Sequence, residues 1–316
     1  MNSMMKIDVK EIFEKATPNG SFIKLRLDEA ALGVYYSVDE KRIPSIAFMT
    51  TQPPIEIEST KCISATQWQE RALVYWTKLC LLYEPARMNY YSLCNDLIET
   101  TCNYKTEKDA MMALSNRYRN WKRLFQGTAK KMSEEEYKGL FGELYFLLKK
   151  MIPKYGIDKA VGAWSGPKKT AKDFSIDESW YEIKTTSSSS SEVTISSITQ
   201  LDDINEGYLV VVKAERMSDE YHDGQSTVGE IVNTIMLQIS ENGLKDLFID
   251  KLVSYGYDMG ESEFENGHYK VSTVKAYRVV EGFPRITSKS IGNPAITKAT
   301  YVISLPAITS FREDIL

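Results

Sequence analysis

The stretch KDFSIDESWYEIK, residues 172–184, decides how the second half of this chain reads. It sets Asp173 ahead of a short strand-like run and places Glu182 and Lys184 on that run with one residue between them. Side chains alternate faces along a strand, so Glu182 and Lys184 share a face and Ile183 turns to the other. A hairpin turn over Asp177, Glu178 and Ser179 would fold Asp173 back beside them. Two carboxylates and an ammonium converging on a strand pair form a hard, oxygen-rich site. Mg²⁺ suits such a site, because it accepts one or two carboxylates and keeps several waters; Mn²⁺ is expected to substitute. A neighbouring lysine orients a water or stabilises charge developing on a phosphate. The chemistry this suggests is phosphodiester hydrolysis. The same spacing also arises by chance, and Glu-x-Lys on a solvated sheet face is commonly a plain ion pair of little energetic weight.

Composition narrows the alternatives. The chain has 316 residues, 43% hydrophobic and 26% charged, which describes an ordinary globular protein long enough for two domains. A formal net charge of −4 makes the whole molecule a poor electrostatic magnet for nucleic acid. An enzyme acting on DNA with this balance must localise its positive charge or rely on partners and metal. No apolar run approaches a membrane span and no signal-peptide pattern opens the chain, so a cytoplasmic protein without membrane contact is expected. Cys62, Cys80, Cys94 and Cys102 lack C-x-x-C spacing and read as reduced core residues. The only histidines, His222 and His268, read as incidental, which leaves little material for a histidine zinc site or a Ser–His–Asp triad. Neither a Walker A loop, a Rossmann glycine fingerprint nor an internal repeat is present. Elimination favours a metal site made of carboxylates.

Along the chain, three regions are expected: an N-terminal α+β module over 1–104, a helical connector over 105–132, and a second domain over 133–316. In the module, 21–27, 33–38, 45–51 and 56–63 read as strands, punctuated by Pro and Gly. Residues 72–83 read as a buried strand or a short helix, and 90–101 and 107–125 as helices. The last of these carries Met111, Leu114, Tyr118, Trp121 and Phe125 on one stripe. Arg117, Arg119, Lys122 and Arg123 lie beside or off it, followed by Lys130 and Lys131; they read either as a phosphate-touching face or, preferably, as a solvated one. Ser133 and Glu136 form a capping box that opens a helix expected over 133–151. Its apolar stripe includes Tyr137, Leu140, Phe141 and Leu144, while Gly139 and Gly142 would permit close backbone approach and Glu143 emerges at the flank. Trp164 reads as an aromatic anchor in a turn that leads to a basic segment, Lys168 and Lys169. The serine run 187–191 reads as a loop flanking the site. Strands follow at 193–198 and 207–214, helices at 227–240 and 244–253, and several further strands between 269 and 305.

The order of these elements, a helix with Glu143, a strand with Asp173 and a strand with Glu182-x-Lys184, resembles the PD-(D/E)xK nuclease superfamily. The phrases GLFGELYFL (139–147), AWSGP (163–167), KDF (172–174), YEIKTT (181–186) and TQLD (199–202) resemble more closely a bacterial PD-(D/E)xK family of undefined function, found beside DNA cytosine methyltransferases and ATPases in restriction-like defence clusters. The motif-bearing match covers about 133–214. The resemblance implies a restriction-endonuclease-like core, a mixed sheet flanked by helices, and Mg²⁺-dependent DNA cleavage. It implies Asp173 and Glu182 as metal ligands and Lys184 as the group that positions water and stabilises the phosphate. Glu143 would be an additional acid and metal-site residue, touching metal through water or orienting Lys184, and Gln200 a polar residue near the site. Partners implied are DNA, a methyltransferase and ATPase subunits, with a homodimer expected where both strands are cut. One departure stands out: Lys172 occupies the position of the motif's proline. A different outcome compatible with the same residues is a nuclease-like subunit that binds or assembles without cutting, since fold alone does not license activity.

Overall fold

The computed structural model describes residues 8–27, 30–126, 132–166, 172–218, 224–259, 267–293 and 295–314. His222, Lys130, Lys131, Lys168 and Lys169 lie outside the described residues. The chain divides into two units, Met1–Lys130 with Gly256–Ser262, and Lys131–Tyr255 with Glu263–Leu316.

The first unit opens with helix α1 (Val9–Lys15), capped by the Asp8 carboxylate on the Glu11 N–H. An antiparallel sheet follows: β1 (Ile23–Lys24), β2 (Gly33–Val38), β3 (Pro44–Thr50), β4 (Ile63–Arg71) and β5 (Val74–Leu81), in the order β1-β2-β3-β5-β4. Helices α2 (Arg87–Cys102) and α3 (Glu107–Lys122) complete it. Tyr90 ties α2 to the sheet, accepting from Ile46 N at 3.1 Å and donating to the Leu79 carbonyl at 2.8 Å.

Two expectations change here. The strand expected over 56–63 begins instead at Ile63 and runs to Arg71, because its polar run Thr66, Gln67, Gln69 and Glu70 belongs to an edge strand that needs no apolar alternation. Its turn into β5 uses Ala72 and Leu73, with Leu73 at φ 58°, a conformation normally signalled by Gly or Asn. The helical connector is likewise part of the first unit. Arg117 is buried in an ion pair with Asp96, Trp121 Nε1 donates to the same carboxylate at 2.6 Å, and Tyr118 donates to the Glu58 carbonyl at 2.8 Å. Lys122 pairs with Glu58. Arg117 and Lys122 thus serve local ion pairing, and Arg119 donates to Asn116 on its own helix. The four cysteines are free, with Cys62 and Cys94 buried.

The second unit begins with α4 (Glu134–Phe146), where both halves of the Ser133/Glu136 capping box form. Instead of running straight to Met151, the helix passes into a π-type turn over Leu147–Met151 and then α5 (Ile152–Tyr155) and α6 (Ile157–Ala163). Next come β6 (Phe174–Ile176), β7 (Ser179–Thr186), β8 (Glu192–Ile195), β9 (Gly207–Met217), α7 (Val228–Gln238), α8 (Asn242–Tyr255), β10 (His268–Val279), β11 (Tyr301–Ser304) and β12 (Arg312–Glu313). The main sheet runs β12-β10-β9-β7-β6, parallel between β7 and β9 and antiparallel elsewhere. This is the expected mixed α+β, restriction-endonuclease-like arrangement. The unbroken apolar run of β9 reflects a strand covered on both faces.

One face of this sheet meets α4. A Cβ added to Gly142 would lie 1.8 Å from Thr185 Oγ1, so the bare glycine is what lets helix and β7 touch. The other face carries Trp180, Leu209, Val211 and Tyr277 into a core shared with Val193, Ile195, Ile303 and Ile308. That second layer corrects the tail: β11 does not extend the main sheet but pairs with β8.

Candidate functional site: carboxylates at the β6–β7 hairpin

The β6–β7 hairpin forms as expected, with Asp177 at φ 51° in its turn. The register pairs Phe174 with Tyr181, so Asp173 falls across from Glu182. Asp173 Oδ2 accepts the Ile183 N–H at 2.6 Å, a bond that fixes the carboxylate against β7. Lys184 Nζ donates to Glu182 Oε1 at 2.8 Å, while Glu182 is only 2% exposed. A buried charge of this kind is a weak source of stability, so the pair is poorly explained as a stabilising device.

Glu143, also buried, reaches the same region from α4. Trp164 Nε1 donates to its Oε2 at 2.8 Å and the Tyr255 hydroxyl donates to its Oε1 at 2.7 Å. Trp164 is itself pinned, and the Tyr255 ring stacks on it. Trp164 bridges to Phe174, Ser165 N donates to the Asp173 carbonyl at 2.8 Å, and Lys251 Nζ donates to the carbonyls of Val161, Gly162 and Trp164.

The electrostatics follow from burial. Desolvation pushes the Asp173 carboxyl up to about 6, against the pull of the Ile183 N–H and the Lys184 charge. Desolvation, reinforced by the charge of Asp173, pushes Glu182 up to about 8 although Lys184 opposes it. Glu143 is held well above the ordinary carboxylate range by burial and then by the charge of Asp173, with the bonds from Trp164 and Tyr255 acting the other way. Neighbouring carboxylates that resist ionising together mark a place short of positive charge, and such perturbed groups concentrate at functional sites.

The donor set fits a divalent cation of the Mg²⁺ type, which needs one or two carboxylates plus water. Asp173 and Glu182 are the residues available to hold it. Among the described residues no three His, Cys, Asp or Glu side chains form a group that could hold a metal ion by themselves, so waters would complete the shell. Each Glu143 oxygen already accepts a hydrogen bond, which gives this residue the geometry of a positioning group.

Gln200 requires a correction. Its side chain turns away to accept the Ser196 N–H at 2.7 Å, capping its own turn. Its backbone carbonyl matters more, accepting from Lys172 Nζ at 2.8 Å. Lys172, the residue in the proline position, is buried and also donates to the Thr199 carbonyl at 2.8 Å, with its ammonium 3.9 Å from the Trp180 ring centroid. Burial lowers its pKa to about 8, opposed by Asp203, Glu182 and Asp202. Sequence reading missed Lys172, Tyr255 and Lys251 as parts of this assembly. The first was legible as a cation beside the motif, whereas Tyr255 lies far away in the chain and carries no local signal.

These shifts predict a stability profile. Asp173 and Glu182 have folded-state pKa values of about 6 and 8, above the unfolded value near 4, so the folded state holds extra protons between those limits and loses stability as pH rises through them. Lys172 acts with the opposite sign, and only above about pH 8. The thermal midpoint of EDTA-treated protein should therefore fall between pH 5 and pH 8. Glu182→Gln should flatten that slope, and Mg²⁺ should raise the midpoint more at pH 8 than at pH 5. A metal response independent of pH would contradict this assignment.

The family model described as "Putative PD-(D/E)XK family member, (DUF4420)" matches residues 10–306. No curated protein and no solved structure matches the chain. Among the described residues, no helix is long and apolar enough to cross a membrane.

Proposed function

Because this chain belongs to that PD-(D/E)XK family, we propose that it is a metal-dependent DNA endonuclease, the cutting subunit of a bacterial restriction or phage-defence system. The observation that carries the reading is the pairing of half-buried Asp173 with buried Glu182, with Lys184 on Glu182 at 2.8 Å. Asp173 and Glu182 would hold Mg²⁺, with Mn²⁺ able to replace it. Bound there, the ion supplies Lewis acidity to the phosphate and lowers the pKa of an attacking water.

The chain's own residues do the rest. Lys184 hydrogen-bonds the attacking water or a non-bridging phosphate oxygen and offsets the charge that develops as the new P–O bond forms and the leaving oxygen departs. Glu143 keeps Trp164 and Tyr255 in place beside Asp173, and Lys172 fixes the turn at 199–202 against Trp180. Pre-organisation of this kind reduces the rearrangement needed at the moment of reaction. A methyltransferase that marks self DNA and ATPase subunits that license cutting are the proposed partners. A homodimer would supply the second centre for the opposite strand.

Cleavage tests the reading. Labelled duplex DNA should be cut in Mg²⁺ and left whole in EDTA, while RNA of the same sequence survives. Metal binding and DNA binding without any cutting, in the presence of the proposed methyltransferase and ATPase partners, would favour the assembly role instead.

A further inference from the structure

The sheet face that carries Glu182 and Lys184 continues past them into a cavity. Lys184 pairs with Val211 and Thr186 with Lys213; on the next strand Val211 pairs with Lys275 and Lys213 with Thr273. Paired residues point to one side, so Lys184, Lys213 and Lys275 share a face. There a cavity of about 390 Å³ is lined by Ser189, Ser190, Lys213, Thr273, Lys275 and Thr309, among others.

Its serine wall is clamped in place. Lys213 Nζ donates to the Ser188 and Ser190 carbonyls at 2.9 and 2.8 Å, the Ser188 N–H donates to Glu215, and the Ser188 and Ser272 hydroxyls lie 3.1 Å apart. Lys213 and the nearby acid Glu215 are thereby committed to the loop. Lys275, half-buried in the cavity wall, makes no hydrogen bond or ion pair with the described residues. The Ser190 hydroxyl donates to the Glu192 carbonyl and the Thr309 hydroxyl to the Pro306 carbonyl, both at 2.9 Å. The Ser191 and Thr273 hydroxyls are therefore the donors left beside the uncommitted Lys275 ammonium, and together they suit a phosphate oxygen.

We propose that this cavity is a phosphate subsite, which holds a backbone phosphate of the nucleic-acid strand whose scissile phosphate lies at Lys184. The inference rests on the endonuclease reading and deepens it. Lys275 stands two strand spacings from Lys184, about 10 Å, or about three rises along one DNA strand. The subsite selects a polynucleotide over a mononucleotide. It also localises positive charge on a chain whose net charge is −4.

The test measures fluorescence anisotropy of a labelled DNA duplex in EDTA, from 50 to 200 mM salt, for wild type, Lys275→Ala and Lys275→Arg, with thermal midpoints alongside. Losing one phosphate contact should lower the slope of log K against log salt by about 0.9 and weaken binding about eightfold near 0.1 M salt. Lys275→Arg should restore both, with midpoints unchanged. Salt-dependent binding by wild type and an identical slope for a folded Lys275→Ala would overturn the subsite alone. Absence of salt-dependent DNA binding by wild type would overturn the endonuclease reading together with it.

Discussion

Lys184→Ala is expected to cleave DNA about 10²–10³-fold more slowly than wild type, the usual consequence of removing one pre-positioned donor from a developing negative charge. The substitution removes the ammonium that sits 2.8 Å from Glu182 but leaves the carboxylate pair. Duplex binding should survive, because the flanking phosphate contacts are elsewhere. Metal binding should survive too, with a changed pH dependence. Lys184 currently pulls the Glu182 pKa down from what burial and Asp173 would impose, so without it Glu182 holds its proton to higher pH and the cation competes less well near neutrality. Single-turnover rates at saturating Mg²⁺ over pH 6 to 9 separate the two effects. A variant that cuts near the wild-type rate across that range would remove Lys184 from the chemistry and leave it as an ion-pair partner. Lys184→Arg is no neutral control, since a planar fork replaces a point donor.

Gly207→Ala should be the most damaging single-methyl change in the second unit. Gly207 opens β9 opposite Trp180, and an added Cβ would meet three indole atoms at 1.8 to 2.3 Å. The ring has nowhere to go. It is 3% exposed, its Nε1 donates to the Asn205 carbonyl at 3.1 Å, and Lys172 lies over its face. Overpacking of this severity costs about 3 kcal/mol, or about 10 °C in thermal midpoint for a unit of this size. Because β9 is central and pairs in parallel with β7, the displacement reaches Glu182 and Lys184 as well. Thermal unfolding in EDTA reads the effect directly, and a midpoint within 2 °C of wild type would contradict the packing described.

How much of this was legible beforehand differs from place to place. The hairpin that returns Asp173 to Glu182 could be read from period-two alternation and a two-acid turn, both local signals. The capping box at Ser133 and the close approach at Gly142 were equally local. The edge strand β4 was obscured because an edge tolerates polar residues and its turn uses Leu73 rather than glycine. The separate pairing of β8 with β11 joins segments about a hundred residues apart, and nothing in either marks the other as its partner. At the site, the motif residues were visible and their holders were not. Tyr255 and Lys251 come from a helix far along the chain, and Gln200 contributes a carbonyl rather than the side chain that sequence alone would suggest.

The central claim is that the Asp173–Glu182 pair is a metal site that cuts DNA. It is tested most directly by incubating supercoiled plasmid with wild type and with Asp173→Ala, in Mg²⁺ and in EDTA, and following nicked and linear product. The account predicts product only for wild type in Mg²⁺, with Asp173→Ala folded and inactive. Equal cleavage by Asp173→Ala, or cleavage that persists in EDTA, would contradict it.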